Sequence, residues 1–238
     1  MEKQHGMSKE EFRYPLERKK EFQDFVNLQL SCPSKGHLDV ELNEVGRQQA
    51  AAVADRLSRE TAISAVYSSD LKRALETAQI IATKCSVPEV IQDPNLRERH
   101  LGGLQGYIFH EAVKLRPDAY QASLSDRTDQ EIPGGGESLD QLFNRCTSSL
   151  QKIGMKHIGE RVVVVTHGGV LRALHKRAAP TEGRQRKILN SSINIFHLSS
   201  RDEWIIKAWG DINHLNQNNT EFLEADSGGD NTTHYASG

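Results

Sequence analysis

The feature that most constrains the fold is a run of four valines at residues 162–165, followed by Thr166-His167-Gly168-Gly169. An apolar run without polar alternation is typical of a strand covered on both faces, and in a chain of 238 residues it indicates a parallel sheet flanked by helices. Ligands of such sheets bind at the carboxyl ends of the strands. The two glycines let the backbone turn tightly there, and a helix is predicted over residues 170–174. His167 is therefore either a ligand-binding residue or a buried histidine that ends the strand.

The rest of the chain alternates helix and strand patterns, which predicts an α/β fold. Apolar residues at helical spacing predict helices over residues 44–59, after a capping serine at Ser69, and after the glycine-rich turn at Pro133. Short strands are predicted at residues 63–67, 192–198 and 204–209. Residues 1–21 are charged and unpatterned, and residues 216–238 are rich in Asn, Thr, Gly, Ser and acids. Both ends are therefore predicted to be disordered, with a single domain over residues 22–215.

The composition argues against several classes of protein. A net charge of −2 gives no electrostatic reason to bind nucleic acid or an anionic membrane. No apolar run approaches the roughly 20 residues that cross a bilayer, and the amino terminus lacks the apolar centre of a secretory signal. Cys32, Cys85 and Cys146 are odd in number and widely spaced, so neither a disulfide framework nor a zinc site is indicated. We therefore expect a cytoplasmic protein, because thiols stay reduced in that compartment.

Two further segments place charged side chains where chemistry is plausible. Arg73 falls in the first turn of the helix after Ser69, where the helix dipole opposes a cation. An anion held by the guanidinium and the free backbone amides would explain that position, and so would solvation or a surface ion pair. Glu98 lies among basic residues in a glycine-punctuated segment, residues 96–106. It is either an acid that protonates a leaving group or a salt-bridged loop residue.

Together these segments resemble the histidine phosphatase superfamily, which has the phosphoglycerate-mutase-like fold, and most closely its metal-independent phosphoserine phosphatases. The matching blocks follow one another along residues 36–215, and they are residues 42–46, 68–78, 96–106, 132–138 and 166–169. The resemblance implies a three-layer sandwich in which a mostly parallel sheet carries helices on both faces.

The resemblance also implies a mechanism. In that family a histidine beside an arginine attacks a phosphomonoester and becomes phosphorylated, a glutamate protonates the leaving oxygen, and water then cleaves the phosphohistidine. Carried over by motif, the catalytic residues are Glu98, His167 and Arg73; the phosphate would be bound by Arg73, His167 and Gly168, with Glu98 as the acid. Neither a metal nor another cofactor is implied. The implied partner is a small phosphorylated metabolite rather than nucleic acid or a membrane, and a homodimer is left open.

The sequence departs from the family at the nucleophile. The family's Arg-His-Gly-Glu-Thr block ends the first strand, and counting back from Gly36 it should fall near residues 22–26, which read Phe-Gln-Asp-Phe-Val here. No Arg-His-Gly occurs in the chain, so the nucleophile is unknown. Cys32 and Ser34 are conceivable substitutes without an evident base beside them. His5 precedes Gly6 but lies about eighteen residues too far upstream and follows no apolar strand. Residues 25–30 alternate apolar side chains with Asn27 and Gln29, a half-buried pattern where a central strand needs apolar residues on both faces. The first central strand is therefore doubtful.

Three functions are compatible with the sequence. The first is a metal-independent phosphomonoesterase acting on a small, phosphoserine-like metabolite, impaired because its nucleophilic histidine is missing. The second is a non-catalytic protein that binds a phosphorylated ligand or a partner. The third is a phosphoglycerate mutase, although the stretch from Gly106 to Pro133 is short compared with the insertions of mutases.

Overall fold

The structure is a computed structural model, and it describes residues 25–27, 35–60, 62–182, 188–199 and 202–216. The terminal segments predicted to be disordered lie outside these ranges, apart from residue 216, as does Cys32.

The sheet has six strands in the described ranges, and their spatial order is β3-β2-β4-β1-β5-β6. Strands β1, β2, β3 and β4 pair in parallel, whereas β5 and β6 run antiparallel to their neighbours. The strands are β1 (Phe25–Asn27), β2 (Ala65–Ser68), β3 (Val90–Gln92), β4 (Val162–Thr166), β5 (Ser192–Leu198) and β6 (Trp204–Asp211). The predicted mostly parallel sheet is confirmed.

Helices cover both faces of the sheet, as the valine run predicts. The helices are α1 (Glu44–Leu57), α2 (Lys72–Lys84), α3 (Phe109–Leu115), α4 (Pro117–Ser123), α5 (Leu139–Lys156), α6 (Gly168–Ala178) and α7 (Asn213–Asn216). Val163 and Val165 pack in one apolar cluster with α1 and α2, and Val162 and Val164 pack in another with α5 and α6. Alternate side chains of β4 thus belong to two apolar cores, one between the sheet and the helices on each face. None of the described helices is long and apolar enough to cross a membrane.

The beginnings of two helices differ from the sequence prediction. Helix α6 begins at Gly168 rather than at residue 170, so His167 itself occupies its N-cap position. Ser69 does not cap α2: its hydroxyl accepts a hydrogen bond from the amide of Leu71 at 3.2 Å. Asp39, 33 residues earlier in the chain, accepts from the amide of Lys72 at 2.7 Å. A carboxylate from a distant loop therefore satisfies the first amide of this helix.

The doubt about the first central strand was wrong for the residues that can be described. β1 lies between β4 and β5, with Phe25 level with Val164, Val26 with Val165 and Asn27 with Thr166. The hydrogen bonds of such a ladder are made by the main chain, so a polar side chain does not prevent the pairing. As a result residues 164–166 of β4 have a neighbouring strand on the β1 side, and β2 pairs on the other side, so this part of β4 is not an exposed edge. Residues 28–30, the rest of the predicted strand, lie outside the described residues.

Candidate active site

Arg73 lies buried at the start of α2, with 3% of its surface exposed. Its two terminal nitrogens donate to main-chain carbonyls of the loop before α1: Nη1 to Leu38 at 2.8 Å and Nη2 to Gly36 at 2.9 Å. Burial lowers the pKa of the guanidinium, and the negative charge of Glu98 opposes that shift. The group stays charged nonetheless, because an arginine keeps its proton in a protein. The structure thus places a buried cation, not a solvated one, at the carboxyl end of β2.

His167 lies at the carboxyl end of β4 with 2% of its surface exposed. Its Nε2 atom is buried and has no hydrogen-bond partner among the described residues. Burial, followed by the positive charge of Arg73, holds the pKa of this imidazole well below its ordinary value of 6.5. A neutral ring with an unsatisfied nitrogen is costly in a folded protein unless a ligand uses it.

Glu98 joins the same site through the turn after β4. Its carboxylate accepts from the amide of Gly169 at 3.0 and 3.1 Å and from the amide of Arg99 at 2.7 Å. Gly169 is the second residue of α6, so the carboxylate sits at the positive end of that helix. The amide of Gly168, the first of the helix, has no intrahelical acceptor and remains suited to bind an anion. The structure therefore brings together all four residues predicted from the sequence.

A charged pair fixes the backbone of the segment that carries Glu98. Arg145 on α5 binds the carboxylate of Glu137 at 2.5 and 2.9 Å, and both side chains are largely buried. The same guanidinium donates to the carbonyl of Asn95 at 2.6 Å and to that of Glu98 at 2.9 Å. The carbonyl of Glu137 in turn accepts from the side chain of Arg99 at 2.8 Å. Helix α5 is thereby bound to the acid-bearing segment at several points.

The sequence reasoning did not find His37. Its Nε2 lies 2.6 Å from the carbonyl oxygen of Glu98, and its ring stands edge-on to that of His100 with the centroids 4.8 Å apart. Its amide donates to Oε1 of Gln105 at 2.7 Å. The available signal was its position directly after Gly36, at the start of the matching blocks, but no motif marked it.

The described residues contain no group of three or more His, Cys, Asp and Glu side chains that could hold a metal ion. The charged and polar groups at this edge of the sheet favour binding of an anion. The Arg73 guanidinium, the neutral His167 imidazole and the free end of α6 lie at this edge, and the Glu98 carboxylate binds the second amide of that helix.

The register of β1 bears on where a nucleophile could sit. Residues 25 and 26 lie within the strand, level with Val164 and Val165, and Asn27 lies level with the residue before His167. In this register residues 25 and 26 do not reach the end of β4, so a nucleophile at the expected residues 22–26 would precede that end, and its position stays a prediction. The sequence after Asn27 continues as Leu28-Gln29-Leu30, none of which can accept a phosphoryl group.

Comparisons with known proteins identify the family of this chain. The chain is 61% identical over 199 residues to phosphoglycerate mutase-like protein 4 of Arabidopsis thaliana, covering 84% of this chain and 86% of that protein. It is 50% identical over 196 residues to a metal-independent phosphoserine phosphatase of the same plant, covering 82% of this chain and 81% of that one. The solved structure of YhfR from Bacillus stearothermophilus superposes with a TM-score of 0.72 at 28% identity, covering 81% of this chain and 98% of that one. The sequence model of the histidine phosphatase superfamily (branch 1) matches residues 27–212, and the chain belongs to that superfamily.

Proposed function

We propose that this protein is a metal-independent phosphomonoesterase whose pocket takes a small phosphorylated metabolite of the phosphoserine type. The observation that carries the proposal is that the buried Arg73 guanidinium lies within electrostatic reach of His167, whose buried Nε2 has no hydrogen-bond partner among the described residues. The 50% identity to a relative named as a metal-independent phosphoserine phosphatase supports the substrate class.

In this proposal each residue has one role. Arg73, His167 and the amide of Gly168 bind the phosphate, because a cation and N–H donors suit its oxygens. Glu98 gives a proton to the leaving oxygen and afterwards takes one from water. Its contact with the amide of Gly169 holds the carboxylate in place for both transfers.

The missing Arg-His-Gly block limits how fast such a pocket can turn over. Removing the covalent nucleophile of a well-studied hydrolase lowers turnover on the order of 10⁶-fold, or roughly 8 kcal/mol of transition-state stabilisation. We therefore propose an impaired phosphatase rather than a fast one. The missing block also favours a second candidate, a non-catalytic protein that binds a phosphorylated ligand.

Titration calorimetry with inorganic phosphate and with phosphoserine tests the pocket itself. Both ligands should bind to the folded chain, and Arg73→Ala and His167→Gln should each weaken binding strongly. Arg127→Ala is the matched control, because that arginine is 70% exposed and pairs only with the exposed Asp129 within the described ranges. Circular dichroism shows whether each variant is folded, and His167→Gln makes no change to the loop that Arg73 holds. Binding that ignores both site variants would contradict the proposal.

A further inference from the structure

The imidazole of His37 is held in one tautomer by a main-chain oxygen. A carbonyl can only accept a hydrogen bond, so Nε2 of His37, 2.6 Å from the oxygen of Glu98, must carry the hydrogen. In the neutral ring Nδ1 then bears the lone pair, and it has no hydrogen-bond partner among the residues that can be described. Burial lowers the pKa of His37 below its ordinary value of 6.5, so the neutral form dominates at neutral pH. The ring thus offers one unprotonated nitrogen.

The ring of His37 is connected to the proposed phosphate pocket through its chain neighbours and through the main chain of Glu98. The carbonyls that Arg73 binds belong to Gly36 and Leu38, the two neighbours of His37 in the chain. On its other side the ring touches the main chain of Glu98, the proposed acid. A charge on His37 would also lower the pKa of His167, so these two imidazoles lie within electrostatic reach of each other.

We propose that Nδ1 of His37 accepts the phosphoryl group in this chain, in place of the histidine that the sequence lacks. The inference rests on the proposed function, since it assigns the missing nucleophile of that same pocket. A fixed tautomer and a free lone pair are what a nitrogen nucleophile needs, and a neighbouring cation and acid assist the attack. Because this ring comes from the loop rather than from the end of β1, we expect its turnover to be slow.

The two steps balance without any further reactant. The lone pair of Nδ1 forms a bond to phosphorus as the bond to the leaving oxygen breaks, and that oxygen takes the proton of Glu98. The ring is then a cation, and its Nε2–H keeps its bond to the carbonyl of Glu98, now as a charged donor. Water next attacks phosphorus and gives its proton to the Glu98 carboxylate. The P–N bond breaks, and its electron pair returns to Nδ1.

Trapping the phosphorylated chain tests this assignment. The full-length Glu98→Gln chain is mixed with p-nitrophenyl phosphate, whose leaving group needs no protonation, so the first step proceeds while the second lacks its base. The reaction is quenched in alkaline denaturant, because phosphohistidine is labile in acid, and the phosphorylated residue is located by mass spectrometry after digestion. We expect the label on His37.

Two variants in the Glu98→Gln background sharpen the result. His37→Gln should lose the label while still binding inorganic phosphate, which shows that the pocket has folded. His100→Gln is the matched control, since that neighbouring ring already accepts from the amide of Gly102 at 3.1 Å, and it should keep the label. A chain that binds phosphate and stays unlabelled, or carries the label on His167 or elsewhere, overturns the role of His37 and leaves the proposed function standing. Failure of phosphate to bind at all would overturn both.

Discussion

The pair formed by Arg145 and Glu137 should be the most sensitive point of the site to a single substitution. Only 17% of the arginine side chain and 14% of the glutamate side chain are exposed. Replacing Arg145 with Met removes both contacts to Glu137 and the two contacts to the carbonyls of Asn95 and Glu98. What remains is a largely buried carboxylate without its cation.

The loss of stability in Arg145→Met depends on which other hydrogen-bond donors the groups bound by Arg145 can use. The carbonyl of Glu98 keeps His37 as a donor, and Asn95 is exposed and can turn to water, so these two carbonyls add little. Among the described residues, the Glu137 carboxylate keeps the weak hydrogen bond from the amide of His100 at 3.3 Å and the electrostatic attraction of Arg99. Breaking a buried ion pair from one side costs about 3 to 5 kcal/mol, and the partial exposure here reduces this to about 2 to 4 kcal/mol.

Urea unfolding of Arg145→Met, Glu137→Gln and the double variant measures the loss of stability and shows whether it comes from the unpaired charge. If the cost is the unpaired charge, the double variant should lose clearly less stability than the sum of the two single variants, with a coupling of about 1.5 to 3 kcal/mol. Arg127→Met with Asp129→Asn is the control cycle, because that pair is exposed and should show no measurable coupling. An additive Arg145–Glu137 cycle would refute the reasoning, since it would mean that the pair is solvated like its control.

Three further predictions concern the groups around His167. Because its pKa is depressed in the fold, the unfolded chain takes up a proton on acidification before the native state does, so native stability is full above the unfolded pKa of about 6.5 and falls below it. His167→Gln should therefore reduce the slope of stability against pH between about pH 7 and pH 5. The reduction is up to one proton, or roughly 1.4 kcal/mol per pH unit. Urea titrations at several pH values measure the slope, and an unchanged slope would contradict the prediction. Gly169→Ala should leave the chain folded but lower turnover more than phosphate affinity. The reason is that the added methyl group would overlap Oε1 of Glu98 and push the carboxylate aside. Equal losses of turnover and affinity would argue against a proton-transfer role of Glu98. Replacing residues 27–31 by Arg-His-Gly-Glu-Thr, with a longer connection to Gly36, should raise turnover of p-nitrophenyl phosphate by several orders of magnitude, and a repaired chain that folds without gaining turnover would show that the catalytic roles are misassigned.

Local pattern was enough to predict the layers of the fold. Four valines in a row can only be buried on both sides, and they lie in two separate apolar clusters, one on each face of the sheet. The same stretch placed His167 correctly, because the end of a parallel strand is defined by its own sequence. The order of the matching blocks assigns Arg73 and Glu98 to the same site, where they lie within electrostatic reach of each other, and their catalytic roles stay predictions.

Contacts between distant segments could not be predicted in this way. The cap of α2 comes from Asp39, and the donors that hold the carbonyl of Glu98 come from His37 and Arg145, 61 and 47 residues away. Each of these side chains is ordinary in its own neighbourhood of sequence. Their roles appear only when the loop before α1, the segment around Glu98 and helix α5 meet at one edge of the sheet.

The missing nucleophile is located differently by sequence and by structure, and the difference is physical. Counting back from Gly36 puts the family's five-residue block at residues 22–26, whereas the pairing of Asn27 with Thr166 puts the end of the strand about five residues later.

In a repaired chain that keeps this register, position 28 would lie level with His167. The eight residues between Asn27 and Gly36 are then too few for both the block and the family's linker. Substitution alone would stretch the loop that Arg73 holds by the carbonyls of Gly36 and Leu38, so an effective repair must also lengthen the chain. The same shortage explains why a substitute nucleophile is better sought in that loop, at His37, than at the end of β1.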